Sequence, residues 1–229
     1  MQKLEKIAEQ IHKIFEAQTA ARDKALAQTR ALTRQCALAI RAVHRGESDM
    51  VQEHLTEAHK LATTLRNELT DYPDLYYTGY TQDSLKEYVE ANITCALIRD
   101  QELPTLEDLN VEHATYLNGL SEVVGELRRR ILDILRHGYS EEAERLLGHM
   151  DDIYAILVTM DYPDAITHGL RRQTDIARSI IERTRGDITF SLRGEQLEHS
   201  ITRLSIQLNG GKIESLPIQL HNFDEEQEE

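Results

Sequence analysis

The 229-residue sequence has no tryptophan, 2 cysteines, 4 prolines and only 5% aromatic residues. Cys36 and Cys95 stand alone in helix-like sequence, and this excludes a zinc finger or a disulfide scaffold and suits a reducing compartment. No apolar run approaches the roughly 18 residues that a membrane span needs. The first residues are too charged for a signal peptide. These absences predict a cytoplasmic protein without a membrane partner.

Sequence motifs of several enzyme classes are also missing. The chain has no glycine-rich phosphate loop, no Gly-x-Ser-x-Gly elbow and no Cys–His nucleophile signature. A ferritin-like di-iron site needs two Glu-x-x-His motifs, and only Glu9 and His12 have that spacing. Nucleotide-dependent, acyl-transfer and di-iron enzymes therefore lose their usual support.

The sequence does have helical periodicity along almost its whole length. Apolar residues recur at three- and four-residue intervals, for example at Leu117, Leu120, Val124, Leu127, Ile131 and Ile134. Turn-forming segments interrupt this pattern and leave about seven helices, near residues 2–45, 48–69, 81–99, 110–137, 140–159, 166–185 and 188–209. We therefore predict an all-α bundle of long antiparallel helices, a single domain over residues 1–212, and an acidic disordered tail over 213–229.

One segment is repeated within the chain. Asp71-Tyr72-Pro73-Asp74 with Gly79 recurs 90 residues later as Asp161-Tyr162-Pro163-Asp164 with Gly169. Proline and aspartate suit the entrance to a helix, so we interpret the echo as a repeated turn rather than a duplicated functional unit. Four tyrosines accompany the first copy, and they suit either base stacking or packing between helices: Tyr72, Tyr76, Tyr77 and Tyr80.

Two predicted helices each offer a pair of acidic residues. Glu87 and Glu90 share one helix face, and Glu122 and Glu126 lie one turn apart, nearly opposite the apolar stripe of their helix. Four carboxylates from antiparallel neighbours can bind Mg²⁺ or Mn²⁺ in a nuclease-like arrangement. The alternative is an ordinary solvated helix face on which Arg129 pairs with Glu126.

The net charge of −14 argues against a polyanionic partner, but the basic residues are unevenly distributed. Four arginines fall within about 60° of one another on a helical wheel and form what we call the arginine stripe: Arg30, Arg34, Arg41 and Arg45. Such a stripe can follow a phosphate backbone. A solvated or salt-bridged face is the alternative.

Two segments of the chain resemble the signature stretches of the translin and translin-associated factor X (TRAX) family. They are residues 85–91, LKEYVEA, and residues 116–128, YLNGLSEVVGELR. The spacing of Thr33, Cys36, Ala39, Ile40, His44 and Arg45 extends the similarity, as does the segment from Gly169 to Gly186. The resemblance implies a seven-helix fold, a closed and often octameric shell, and binding of single-stranded RNA or DNA.

Within this family the factor X branch is a Mg²⁺-dependent endoribonuclease, whereas translin mainly binds nucleic acid. Glu87, Glu90 and Glu126 match the catalytic branch, while Glu122 stands where that branch usually has aspartate. We therefore interpret the chain as a prokaryotic-type homologue that resembles the catalytic branch and hydrolyses single-stranded RNA, with single-stranded DNA as a further candidate ligand. A non-catalytic nucleic-acid-binding oligomer and a structural helical oligomer are the alternatives.

The resemblance also implies a role for each candidate residue. The four glutamates would be both catalytic residues and ligands of Mg²⁺ or Mn²⁺. The arginine stripe and Arg129 would bind the nucleic acid.

Overall fold

The computed structural model describes residues 1–208, and helices are the regular structure found there. In chain order they are α1 (Gln2–Arg45), α2 (Ser48–Glu68), α3 (Pro73–Tyr76), α4 (Gly79–Ile98), α5 (Leu106–Leu109), α6 (His113–Leu135), α7 (Glu141–Val158), α8 (Asp164–Thr167) and α9 (Leu170–Leu208). The predicted all-α class is confirmed. The predicted tail, 213–229, and the predicted domain end at 212 lie outside the described residues.

The predicted break between the last two helices is wrong. Helix α9 is continuous over 39 residues and passes through Arg185-Gly186-Asp187. Thr184 and Ile188 are buried on either side of this segment, and Arg128 pairs with Asp187 at 2.8 Å. These contacts outweigh the cost of a glycine inside a helix, which is about 1 kcal/mol.

The helix predicted over residues 110–137 begins later, at His113. The residues before it form the separate one-turn helix α5, which Thr105 caps by accepting a hydrogen bond from the Asp108 amide. Asn110 then takes a left-handed conformation with φ 50°, and this ends the turn. The capped turn of α5 and the left-handed Asn110 thus separate residues 106–110 from α6.

Both copies of the repeated segment form a one-turn helix followed at once by a long helix. Pro73 begins α3, and Pro163 directly precedes α8. Gly79 is the first residue of α4, and Gly169 takes φ +86° immediately before α9. The structure thus agrees with the interpretation of the echo as a repeated turn.

Helix α4 packs against α1, α2 and α6, and α6 packs in turn against α7 and α9. The core at these contacts is made of fully buried apolar side chains, among them Leu32, Leu85, Val89, Leu127 and Ile131. Within residues 1–208, no helix combines the length and the apolar character that crossing a membrane requires.

Gly119 allows α4 and α6 to approach closely. A Cβ atom at this position would lie 2.7 Å from the Cβ of Val89 and 2.9 Å from the carbonyl oxygen of Lys86. Atoms cannot be packed at these distances, so only glycine permits this separation of the two helices. Glu87 and Glu90 on α4 and Glu122 on α6 all lie within about one turn of this contact.

We expect Gly119→Ala to destabilise the fold by about 1–3 kcal/mol, because the new methyl group overpacks the contact between α4 and α6. At Gly125, in the same helix, an added Cβ atom would meet no other atom within 4 Å. Gly125→Ala is therefore the matched control and should be neutral or stabilising by up to about 1 kcal/mol. Urea denaturation of both variants measures the difference, and equal effects would contradict the role of Gly119.

Candidate functional site

Three of the four predicted carboxylates converge between α4 and α6. One carboxylate oxygen from each of Glu87, Glu90 and Glu122 lies within 4.8 Å of the others. All three residues are partly buried. We call these three residues the carboxylate cluster. Oxygen ligands gathered at this separation suit a single hard divalent cation such as Mg²⁺ or Mn²⁺.

The carboxyl groups of the cluster are partly shielded from water, and this disfavours their charged form. Burial raises the pKa of Glu90 to about 8, and the neighbouring Glu87 and Glu122 add to the shift. Burial also raises the pKa of Glu87, with Glu122 as the next cause. Like charges in a partly buried site favour the protonated form of a carboxyl group, and a bound cation relieves the same repulsion.

Lys86 is a cation inside this acidic site. Its Nζ donates a hydrogen bond to Oε1 of Glu122 at 2.7 Å. Burial disfavours the Lys86 ammonium, but the hydrogen bond and the charge of Glu122 raise its pKa above the ordinary value. Sequence reasoning did not assign Lys86 to the site, although the residue directly precedes Glu87 in the first signature segment.

Glu126 lies outside the cluster of three. Its Oε2 is 2.6 Å from Nε2 of His44 on α1 and 3.6 Å from a guanidinium nitrogen of Arg129. The hydrogen bond with His44 lowers the pKa of Glu126. An ionised carboxylate only accepts hydrogen bonds, so Nε2 of His44 is the donor. The structure therefore pairs Glu126 with a histidine from another helix.

Sequence reasoning also missed His44 as a site residue. Its side chain is 4% exposed, and within residues 1–208 its Nδ1 is buried without a hydrogen-bond partner. The contact with Glu126 spans 82 positions of the chain. The one signal in the sequence was the family-like spacing of the first helix, and that spacing does not reveal the partner.

The alternative of an ordinary solvated face does not describe Glu122 and Glu126, because their side chains are only 24% and 23% exposed. Contacts from Lys86 on α4 and His44 on α1 reach this side of α6. The ion pair expected between Arg129 and Glu126 is present.

All four residues of the arginine stripe are exposed on α1. On the helical wheel they lie opposite the buried side of this helix, which includes Leu32, Cys36, Ala39 and Val43. In the part of the chain that the structure describes, none of the four forms an ion pair. The salt-bridged alternative therefore does not hold for the described residues. The side chain of Arg129 is 55% exposed and forms an ion pair with Glu126.

Comparison with known proteins identifies relatives of this chain. No family model matches the sequence. Uncharacterized protein MJ0175 of Methanocaldococcus jannaschii is 32% identical over 190 residues, which are 82% of this chain and 84% of that protein. The crystal structure of AfC3PO, a translin/TRAX protein, superposes with a TM-score of 0.75 at 32% identity and covers 81% of this chain and 97% of that one. The chain belongs to the translin family.

A second structure supports this assignment, and a third shares the fold. The complex of AfC3PO with duplex RNA has a TM-score of 0.75 at 33% identity and covers 81% of this chain and 96% of that one. Apo-NeC3PO has a TM-score of 0.74 at 22% identity, with 80% and 96% coverage, and this likeness concerns the fold alone. The resemblance seen in the two signature segments is thereby confirmed.

The raised pKa of Glu90 predicts a pH-dependent cost to stability. The folded protein holds the Glu90 proton up to about pH 8, whereas the ordinary value is 4.5. The stability present below pH 4.5 is therefore lost as the pH rises towards 8. Without metal, we expect Glu90→Gln to raise the melting temperature more at pH 8 than at pH 5, measured by thermal unfolding in chelator. An equal change at both pH values would contradict this electrostatic interpretation.

Proposed function

We propose that this translin-family protein is a Mg²⁺-dependent endoribonuclease, with Mn²⁺ as the alternative cofactor, that acts on single-stranded RNA. The carboxylate cluster, with three oxygens within 4.8 Å, is the observation that carries this proposal. AfC3PO, which shares 33% identity with this chain, has been solved with duplex RNA. That complex supports RNA as the polymer, and single-stranded DNA is a further candidate ligand.

The residues of the cluster fit a divalent cation. Glu87, Glu90 and Glu122 supply hard oxygen ligands. The pKa of Glu90 is raised because burial and the charges of Glu87 and Glu122 disfavour its ionised form, and a bound cation would favour that form again. When bound, the cation supplies Lewis-acid polarisation of the phosphodiester and a counter-charge for the carboxylates. Glu126 is the proposed fourth carboxylate, and the hydrogen bond from His44 holds it ionised and oriented.

Lys86 has a proposed role on the RNA side of the site. Its ammonium neutralises Glu122 through the 2.7 Å hydrogen bond. A charge-assisted hydrogen bond from this ammonium to a phosphate oxygen would position the strand beside the carboxylates. The arginine stripe and Arg129 are proposed to bind further phosphates of the same strand.

We propose that the chain works as a homo-oligomeric shell, and as an octamer in the form that the family resemblance implies. Two apolar stripes at the helix ends support assembly. Leu4, Ile7 and Ile14 of α1 are exposed, as are Leu197, Ile201 and Leu204 of α9. Apolar residues repeated along one helix face are typical of surfaces that a partner subunit covers.

A non-catalytic RNA-binding oligomer is the second candidate function. It is favoured by two contacts that already engage part of the acidic set, namely the ion pair of Lys86 with Glu122 and the hydrogen bond of His44 with Glu126. In that case the carboxylates would stabilise contacts between helices, and RNA binding by the arginine stripe would not require a metal.

Glu87→Gln separates the two functions. We expect it to abolish Mg²⁺-dependent cleavage of single-stranded RNA, because one oxygen of the cluster loses its charge. Oligomer size and RNA binding in chelator should persist. Glu102 is an exposed residue of the α4–α5 connection, and Glu102→Gln is the matched control that should cleave normally. End-labelled single-stranded and duplex RNA, with Mg²⁺ or chelator, supply the assay, and retained cleavage by Glu87→Gln would overturn the catalytic assignment.

Charge reversal tests the arginine stripe. We expect the double variant Arg34→Glu with Arg41→Glu to bind RNA more weakly. The slope of the logarithm of the binding constant against the logarithm of the salt concentration should become shallower by about 1.4, because each lost phosphate contact on a single strand removes roughly 0.7. Arg193 and Arg203 on α9 are exposed as well, so their double reversal makes the same change in net charge. Filter binding over a salt series compares the two double variants. Equal slopes would show that only the total charge matters.

A further inference from the structure

A cavity of about 670 Å³ lies beside the carboxylate cluster. Lys86 lines it, and the Nζ atom of Lys86 is 2.7 Å from Glu122. A molecule in this cavity would therefore be separated from the carboxylate cluster by one side chain. The volume lies within the range of about 300–1,000 Å³ that is usual for small-ligand sites.

The two copies of the repeated segment both contribute to the wall of this cavity. Tyr77 and Gly79 come from the first copy, and Ile166 and His168 come from the second. Residues of α4 and α6, including Asp83 and Thr115, form further parts of the wall, together with Glu112 and with Gln173 of α9. The two copies of the repeated segment thus lie together in the fold, next to the proposed catalytic site.

The repeat presents two exposed apolar side chains at this cavity. Tyr72, Tyr76 and Tyr80 pack against the core, whereas Tyr77 is 63% exposed. Ile166 on the opposing copy is 61% exposed. His168 adopts φ +52°, the left-handed conformation in which it ends α8. An aromatic ring and an aliphatic side chain thus remain in contact with solvent at the cavity.

Polar groups accompany this apolar surface. His113 and Gln173 line the same cavity as Tyr77 and His168. A flat ring that stacks on an aromatic side chain and carries donors and acceptors on its edge matches such a lining, and a nucleobase has this character. A base within a duplex is stacked and paired, so only an unpaired base can present both its face and its edge.

We propose that the cavity binds the unpaired base of the nucleotide next to the bond that is cut, with Tyr77 stacked on the base. The inference rests on the proposed function, because the divalent cation that the carboxylate cluster would bind is taken to contact the adjacent phosphodiester. Lys86 lies between the two sites and links them. The cavity accordingly selects RNA that is single-stranded at the point of cleavage.

Fluorescence of 2-aminopurine tests the proposal, since this base analogue changes its emission when it stacks. The full chain is mixed in chelator with single-stranded RNA that carries the analogue at one position, and that position is moved along the strand. We expect one position to give a large change with the wild type. Tyr77→Ala should abolish that change and weaken binding about tenfold, in line with the usual loss of one aromatic–base stack. Tyr77→Phe should retain both.

Tyr162 supplies the matched control, because it is 60% exposed and belongs to the second copy of the repeat but does not line the cavity. Tyr162→Ala should behave as the wild type. Removing the base at the sensitive position should weaken wild-type binding about tenfold and leave Tyr77→Ala unaffected. The base site would be overturned if Tyr77→Ala showed the same fluorescence change as the wild type. It would also be overturned if removal of the base weakened the binding of the wild type and of Tyr77→Ala equally.

The measurements in chelator separate this proposal from the nuclease assignment. A Tyr77-dependent fluorescence change without any Mg²⁺-dependent cleavage would support the base site and overturn the catalytic function. Cleavage that depends on Glu87 but shows no dependence on Tyr77 or on the base would overturn the base site alone. Wild-type binding that is no weaker for the abasic strand than for the intact strand would overturn the base site and indicate contacts with the phosphate backbone only.

Discussion

The close contact between α4 and α6 at Gly119 determines the geometry of the candidate site. A side chain at this position would collide with Val89 and with the backbone of Lys86. Because the two helices come this close, Glu87, Glu90 and Glu122 meet within 4.8 Å. The same contact places Lys86 between the carboxylate cluster and the neighbouring cavity. Steric packing of Gly119 against Val89 and the Lys86 carbonyl oxygen therefore brings the acidic residues together at a cost in electrostatic energy.

Charge is distributed unevenly among the four glutamates. Glu122 and Glu126 each have a cationic or hydrogen-bonding partner, Lys86 and His44 respectively. Glu87 and Glu90 have none in the described part of the chain, and burial raises the pKa of both. Repulsion that the fold tolerates without compensation is typical of functional sites rather than of structural ion pairs. This asymmetry makes the cluster a better candidate for a cation site than for a stabilising contact.

The repeated turn connects the sequence pattern with the surface beside the cluster. From the sequence, the four neighbouring tyrosines suit either base stacking or packing between helices, and the structure shows that they do not all have the same environment. Three of the tyrosines pack against the core, and Tyr77 stays exposed at the cavity. The translin-family fold persists at 22% identity in apo-NeC3PO, so packing rather than a particular sequence maintains the helical scaffold that carries these residues.

The amino-acid sequence was sufficient to predict the all-α class, the long helices, the family and the two acidic pairs, because helical periodicity and local motifs depend on residues within a few turns. It could not predict which carboxylates converge, since His44 meets Glu126 across 82 positions and Lys86 meets Glu122 across 36. Tertiary packing also keeps α9 continuous through Gly186, because buried neighbours outweigh the local preference of glycine. Spacing along one helix defines a face of that helix, whereas the contact made by that face depends on how closely a second helix can pack.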